Sequence, residues 1–493
     1  MNLWKELNKA FNNYSDLPAI TDPDGKCLCY GELLMLVKGL VKKISEVVPQ
    51  GSRIAILNKH PFYDAVCILS AFAWGCTVIP MSMYTGEKRC KDIVDIACPQ
   101  LLLTNIEPLP EIIADSAANN KTKILVYEEL NPFKGWEPEP EYSTDPAMIL
   151  FTSGTSGKPK GVMLSHTNIL NNAEDVQHYF KVNSQDHMLI LRPLCLVSAI
   201  NAEFLVAMLN GARVSFYCDM FIPQRLLGFI YRMGCTVMTS TPTIFYQVIM
   251  CKSDISLPTL RKVGLSSEHA HPQIIQKLKG KFPTTEFYIL YGLTEASPRV
   301  TYLPPEYFGD KLGCSGIPLR SVEVEIVDEC GNEVRAYEMG EVTVKGPNIM
   351  MGYWQDLEQT AKKIRNGWLY TGDLGYMDED GFLYVVGRKD DMIIRAGTNI
   401  YPQEIENALL QSKYIKEVVA WGEPDPRYGQ RICIGVVPEK NTEMTNINVM
   451  SICREYLHPN QYPDEICIVE ALQRNATGKL VRKKLLRKDD FQV

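Results

Sequence analysis

Metal and disulfide signatures are the first thing this sequence lacks. Its 493 residues include 15 Cys and 7 His, yet no Cys-x-x-Cys pair occurs, and the nearest approach is Cys27 and Cys29. An odd, scattered set reads as reduced thiols of a cytosolic protein, mostly core filler, rather than a disulfide framework or a zinc site. Positive charge is also short. The net charge of -7 excludes a general nucleic-acid binder, which needs clustered Lys and Arg against phosphate. The first residues, Met1 to Phe11, carry Lys5, Glu6 and Lys9 and no apolar signal core. No internal repeat or low-complexity tract is visible. The longest stretch without a charge, Ala65 to Gly86, has 22 residues, but Ser70, Gly75, Pro80, Ser82 and Thr85 interrupt it. It reads as a buried helix through Trp74, a turn at Gly75 and a strand over Thr77 to Ile79, not a membrane span. What remains is an ordinary globular balance, 46% apolar and 22% charged, at a length fitting roughly two to four domains.

Up to about residue 390, short β-branched runs alternate with helix-length amphipathic segments. Arg53–Leu57, Leu101–Leu103, Thr236–Met238 and Glu286–Leu290 predict strands, and Pro61–Ala73 and Lys88–Ile96 predict helices. That is the rhythm of layered α/β architecture with parallel sheet. Val322–Val327 and Gly340–Lys345 instead alternate apolar with polar residues around Asp328, Gly331 and Asn332, which predicts antiparallel strands closing the large domain. The last hundred or so residues read as a separate unit. Ile405–Leu410 and Val449–Leu457 predict helices, and Val418–Trp421 and Ile432–Val436 predict strands. The polar junction Gly387-Arg388-Lys389-Asp390-Asp391 precedes it.

The strand-like run Ala147–Phe151 leads into Thr152-Ser153-Gly154-Thr155-Ser156-Gly157-Lys158-Pro159-Lys160-Gly161. Glycines let backbone amides turn toward an anion, hydroxyls add donors, and Lys158 and Lys160 add charge, so the loop suits a polyphosphate. It is not a Walker A loop. Only two residues separate Gly154 from Gly157, and Pro159 follows Lys158.

Four further segments follow: Tyr291-Gly292-Leu-Thr294-Glu295-Ala296, Tyr370-Thr-Gly-Asp373, the junction at Gly387–Asp390, and Asn475-Ala-Thr-Gly-Lys479. The block from Gly346-Pro347 to Gly352-Tyr353-Trp354 lies between them. In this order, over residues 152 to 479, the chain resembles the adenylate-forming superfamily of acyl-CoA synthetases, luciferases and adenylation domains. The resemblance implies an α/β fold. It comprises a large N-terminal domain of layered α/β subdomains with a closing antiparallel β region, residues 1–389, and a small mobile α+β C-terminal domain, residues 390–493.

It also implies a two-step reaction. A carboxylate attacks the α-phosphate of ATP to give an acyl adenylate and pyrophosphate, then a thiol displaces AMP to give a thioester. Adenylation replaces an oxide leaving group with a good one, and catalysis is mostly positioning and charge neutralisation. By resemblance, Thr152 to Lys160 hold the β- and γ-phosphates, and Tyr291 and Gly292 join the nucleotide site. Thr294 meets the α-phosphate and Glu295 binds Mg²⁺, a hard cation that takes carboxylate ligands. Asp373 accepts from the ribose hydroxyls and Arg388 meets the ribose from the other side. Lys479 bridges the substrate carboxylate and an α-phosphate oxygen as charge accumulates. Asp390 takes the hinge position. Gly397, in Arg395-Ala-Gly-Thr-Asn399, leaves room for a pantetheine arm, and a plain hairpin turn uses the same glycine. Arg482, Lys483, Lys484, Arg487 and Lys488 read as solvated charges or a weak patch for CoA phosphates or an acidic carrier protein. His166 reads as structural, with Ser165 or Thr167 as the cap of the helix after it.

The acid side departs from the family. Leu196, in Arg192-Pro-Leu-Cys-Leu-Val-Ser-Ala199, stands where many acyl-CoA synthetases have a gating His. That segment also lacks the Asp that pairs a substrate ammonium, which disfavours a free α-amino acid. Gly264-Leu-Ser266-Ser267-Glu268 replaces a glycine-rich turn, so the serines either shorten the pocket or present hydroxyls to a polar acid. Gln473 replaces a frequent Pro, with little expected effect. Tyr401-Pro-Gln-Glu-Ile-Glu406 resembles the acyl-CoA synthetase side of the superfamily.

The expectation is therefore a cytoplasmic ATP- and Mg²⁺-dependent acid–thiol ligase acting on a small carboxylic acid, with CoA or a carrier-protein phosphopantetheine as acceptor. A ligase loading a separate acyl or peptidyl carrier protein is the alternative within the class. A catalytically inactive nucleotide-binding protein is the alternative outside it, against which Lys479, Glu295 and Asp373 all stand.

Overall fold

The uncharged stretch beginning at Ala65 folds as its punctuation dictates. Pro61 opens the helix Pro61–Ala73, where the missing N–H of proline costs nothing, and the His60 ring accepts the Phe62 N–H. The helix is apolar on every side and is buried almost all round. Gly75 turns the chain at φ 70°, and the strand Thr77–Pro80 follows. No helix among the described residues is long and apolar enough to cross a membrane. The computed structural model describes residues 2–127, 129–134, 146–153, 158–251, 255–268, 270, 272–440 and 442–473. All 15 cysteines are free.

The chain divides into two compact units. The first is Met1–Val324 with Val344–Tyr370, and the second is Glu325–Thr343 with Thr371–Val493. The division therefore does not fall between residues 389 and 390. It runs through the strands Gly340–Lys345 and Trp368–Met377, so Asp373 and the polar junction share the second unit.

In the first unit, one sheet runs Gly352–Tyr353, Pro159–Leu164, Met148–Ser153, Thr77–Pro80, Arg53–Leu57, Leu101–Thr104, Lys123–Val126. Its centre is parallel. Ile54 to Leu57 and Leu101 to Leu103 are wholly buried, which is why these strands read as unbroken apolar runs rather than alternating ones. At one edge Met148–Ser153 turns back antiparallel as Pro159–Leu164, pairing Thr152 with Lys160 and Phe151 with Gly161.

A second, nine-stranded sheet is parallel from Pro18–Thr21 through Arg213–Phe216, His187–Ile190, Val237–Ser240 and Lys262–Ser266 to Glu286–Gly292. Antiparallel strands close both edges. This order positions the chemistry. Arg192, Thr243, Ser267 and Thr294 each lie just past the carboxyl end of one of four neighbouring parallel strands, the edge where open α/β sheets take ligands.

In the second unit, Gly429–Pro438 pairs with Ile415–Asp425 and Ile393–Arg395 antiparallel and with Glu465–Ile468 parallel. The helices Pro402–Leu409 and Asn446–Tyr456 cover it through Ile405, Leu409, Val449 and Cys453. The expected strands form over Glu323–Val327 and Gly340–Lys345, neighbours in one sheet.

Gly161 sets the tolerance of the edge hairpin. A Cβ there would lie 2.9 Å from Ile149 Cγ2 and 3.0 Å from Trp354 Cβ. Gly161→Ala should lower unfolding stability by about 1–3 kcal/mol, as overpacking does. The shift of the urea denaturation midpoint checks this.

Candidate functional site

The segment expected to bind phosphates joins the antiparallel strands Met148–Ser153 and Pro159–Leu164. Thr152 and Lys160 are half-buried and Lys158 is exposed. Gly154, Thr155, Ser156 and Gly157 lie outside the described residues, as does the side chain of Ser153. Lys160 Nζ stands 3.4 Å from Gln359 Oε1 and 5.6 Å from the centre of the Tyr353 ring. The same ring's hydroxyl donates to Glu295 Oε1 at 2.8 Å. One tyrosine thus contacts both a phosphate-loop lysine and the expected Mg²⁺ ligand.

Thr294 and Glu295 sit in a single 3₁₀ turn after the strand Glu286–Gly292. The close return of the chain needs Gly292, since a Cβ there would meet the Pro298 carbonyl oxygen at 1.9 Å. Buried Ser297 is left-handed at φ 70°, which a non-glycine residue holds only when its surroundings fix it. They do. Its hydroxyl donates to the Asn348 carbonyl at 2.7 Å, and Asn348 Nδ2 donates to the carbonyls of Ala296 and Arg299 at 3.0 and 3.2 Å. Among the described residues no Lys or Arg pairs with Glu295. Its remaining oxygen suits a hard cation, so the site fits Mg²⁺.

The two acid-side segments meet. Arg192 Nη1 donates to Ser267 Oγ at 3.0 Å, and Arg192 Nη2 donates to Glu203 Oε1 at 2.5 Å. Ser266 is wholly buried, whereas Ser267 is exposed at φ 72°. Leu196 is half-buried, and its carbonyl accepts from Ala199 and Ile200 at the start of the next helix. Glu268 turns to another task. Its Oε2 accepts from Thr243 N and Oγ1 at 3.2 and 2.6 Å, at the first turn of the helix Pro242–Met250, where a carboxylate is favoured.

In the second unit, Asp373 and Arg388 pair across antiparallel strands, with Arg388 Nη1 donating to Asp373 Oδ1 at 2.9 Å. Arg388 therefore does not approach from a side opposite Asp373. Residues facing each other across such a ladder project from one face. Asp373 is 7% exposed and belongs to the strand Trp368–Met377. Asp390 is exposed in the short turn Lys389–Asp391. Ala396 and Gly397 both have positive φ, 49° and 79°, in the two-residue turn joining Ile393–Arg395 to Thr398–Ile400. A Cβ on Gly397 would touch nothing within 4 Å. Lys479 lies outside the described residues.

The AMP-binding enzyme family matches residues 7–354, and the AMP-binding enzyme C-terminal domain matches residues 404–479. The chain is 34% identical over 479 residues to the 2-succinylbenzoate--CoA ligase of Bacillus velezensis, covering 95% of each protein. The chain belongs to the AMP-binding enzymes. It is also 28% identical over 470 residues to the feruloyl-CoA synthase of an Amycolatopsis species, 94% of each protein. Among solved structures it is similar to o-succinylbenzoate CoA synthetase from Bacillus subtilis in complex with its acyl-adenylate intermediate. The TM-score is 0.88 at 26% identity, over 98% of each chain. The same synthetase is known with ATP and a magnesium ion, TM-score 0.87. The fold and the acid–thiol ligase class expected from the motifs agree with these findings.

Among the AMP-binding enzymes' motif residues in this chain, Tyr353 had no role assigned by sequence. Its only signal was its block, Gly352-Tyr353-Trp354, and the contact with Glu295 spans 58 residues. His166 is structural as expected, accepting Leu3 N–H on Nδ1 at 3.3 Å. Ser165, not Thr167, caps the helix His166–Phe180.

Tyr353→Phe removes the hydroxyl that orients Glu295. A neutral-to-charged hydrogen bond is worth about 1 kcal/mol or somewhat more. The magnesium concentration for half-maximal pyrophosphate exchange should then rise about threefold to tenfold. A magnesium titration of both proteins checks it.

Proposed function

We propose that this enzyme joins a small carboxylic acid to coenzyme A through an acyl adenylate, with ATP and Mg²⁺. The observation that carries the reading is the convergence at Tyr353, which contacts both Lys160 of the phosphate hairpin and Glu295. The relatives' names support CoA as the thiol.

In the first half-reaction the substrate carboxylate displaces pyrophosphate from the α-phosphate. Thr152, Ser153, Gly154, Thr155, Ser156, Gly157, Lys158 and Lys160 hold the departing phosphates with hydroxyls, amides and two cations. Tyr291 and Gly292 border the nucleotide, and Thr294 donates to the α-phosphate. Glu295 would hold Mg²⁺, which when bound neutralises phosphate charge. Asp373, with its carboxylate already oriented by Arg388, accepts from the ribose hydroxyls. Lys479 places a cation where charge develops. In the second half-reaction a pantetheine thiol passing Gly397 attacks the acyl carbon and releases AMP. Lys479 and the Gly397 loop serve different half-reactions, so the C-terminal part of the chain turns about Asp390 between them. An exposed residue absorbs such a φ/ψ change at low cost.

The test is pyrophosphate exchange over aliphatic, aryl, hydroxy and amino acids, with 2-succinylbenzoate and ferulate included, followed by thioester formation with free CoA and with a panel of carrier proteins. CoA thioester from at least one acid is expected. Exchange with transfer only to carrier proteins would replace CoA as the acceptor, and no exchange with any acid would refute the reading.

Two substitutions test the parts. Lys479→Ala should slow adenylation about a hundredfold or more, since the lysine serves the transition state, while ATP still binds by calorimetry. Thioester formation from preformed adenylate should survive. Asp390→Pro fixes φ near -65° and should retain pyrophosphate exchange while losing thioester formation, measured on the same preparation. Equal losses in both half-reactions would show that Asp390 is not the pivot.

A further inference from the structure

Behind Ser267 the first unit holds a knot of buried charge that no step above uses. The Arg192 side chain is 12% exposed and that of its partner Glu203 is fully buried. Glu203 comes from Ile200–Leu205, a π-helical turn, a rare widening of the helix that recurs at functional sites. Arg299, 3% exposed at the start of a neighbouring strand, acts electrostatically on both Arg192 and Glu203. Burial raises the Glu203 carboxyl above its ordinary range despite Arg192, and burial lowers the Arg299 guanidinium.

The hydrogen bonding here is incomplete. Arg192 Nε, Glu203 Oε2, Arg299 Nε, Ser266 Oγ and Asn201 Oδ1 are buried without a partner among the described residues. Buried polar atoms go unpaired only rarely, and of these residues Arg192, Glu203 and Arg299 act on one another, with Ser266 next in the chain to Ser267, which bonds Arg192. The charges do not balance either. Two guanidinium groups face one carboxylate. Glu203 is the carboxylate that acts on Arg299, while the Asp175 and Glu268 carboxylates turn to Ser321 and Thr243. Tyr179 acts on Arg299 but remains neutral, its hydroxyl pushed up to about 12 by burial. A hydroxyl or ether on the substrate would satisfy donors yet leave the excess charge, and an uncompensated buried charge is costly.

We propose that the acid activated by this enzyme carries a second anionic group, a carboxylate or its equivalent, which docks on Arg192 with Arg299 behind it. Ser267, exposed and bonded to Arg192, marks the entry. Glu203 holds the Arg192 fork in place, so the anchoring carboxylate is read by side chains other than those that meet the reacting one. This inference rests on the acid-activating reading above.

Pyrophosphate exchange tests it with matched acids: butyrate to octanoate against their α,ω-dicarboxylate counterparts, and benzoate against phthalate and 2-succinylbenzoate. The natural enzyme should favour the best diacid over its monoacid partner about a hundredfold in kcat/KM, the discrimination expected when a charged site is left unpaired. Arg192→Met should reduce that ratio to less than about tenfold, chiefly through a higher KM for the diacid. Arg192→Lys, which keeps the charge but loses the fork, should fall between. Monoacids used as well as diacids by the natural enzyme would overturn this inference and leave the ligase reading intact, and so would equal losses on both acids in Arg192→Met and Arg192→Lys. Exchange with no acid would overturn both. The natural enzyme's ratio decides the matter even if Arg192→Met fails to fold.

Discussion

The segment from Gly346 to Trp354 ties the reactive parts of the first unit together, through its backbone and the side chains of Asn348 and Tyr353. The Pro347 carbonyl accepts from Asn168, at the first turn of the helix behind the phosphate hairpin. Asn348 holds the carbonyls of Ala296 and Arg299 and receives the Ser297 hydroxyl. Met350 N–H donates to the Glu295 carbonyl, Met351 N–H to Met163, and Trp354 N–H to Gly161. Tyr353 closes the set on the Glu295 carboxylate. This strap adds to the Asn172 bonds with the Arg299 backbone, which tie the Thr294–Glu295 turn to the helix that follows the phosphate hairpin. Preorganised positions of this kind are what phosphoryl chemistry requires of a protein, because the enzyme's contribution is position and charge.

Much of the scaffold was legible locally. Pro61–Ala73 and Arg53–Leu57 begin and end where proline, glycine and apolar runs say they should, because those signals act within a few residues. The strand-like run Ala147–Phe151 was legible for the same reason, becoming the strand Met148–Ser153. The glycines, hydroxyls and lysines that follow it are contiguous, and the strands either side of them pair directly. The pairing of Asp373 with Arg388 was not, since it depends on ladder register. Nor was the Arg192–Glu203 pair. Glu203 reads as one more polar residue in a helical run, and only the fold shows it to be fully buried. The links through Tyr353 and Asn348 join residues far apart in the chain, which periodicity does not report.

The nucleotide and acid sides differ in kind. On the nucleotide side the side chains present are those the adenylate-forming resemblance names, and their geometry follows from turns that tolerate little change, as at Gly292. On the acid side the chain departs from that pattern at Leu196, Ser266 and Ser267, and there the structure holds buried polar atoms without partners among the described residues, at Arg192, Glu203 and Ser266. A shared reaction with a private substrate would look like this: fixed chemistry on one edge of a sheet, and altered residues past the carboxyl ends of neighbouring strands.

The second compact unit is built from two separate stretches, Glu325–Thr343 and Thr371–Val493. The backbone therefore crosses between the units at 324/325, 343/344 and 370/371. A body joined by three covalent strands cannot swivel freely about any one of them, just as a door on three separated pins does not turn unless the pins are collinear. A pivot at Asp390 avoids that constraint, because it lies downstream of all three crossings, where a single strand of chain carries everything beyond it. Were Asp390 the pivot, the turning piece would be smaller than the compact unit that contains it. A cut at residue 389 would free that piece, whereas no single cut would separate the two units.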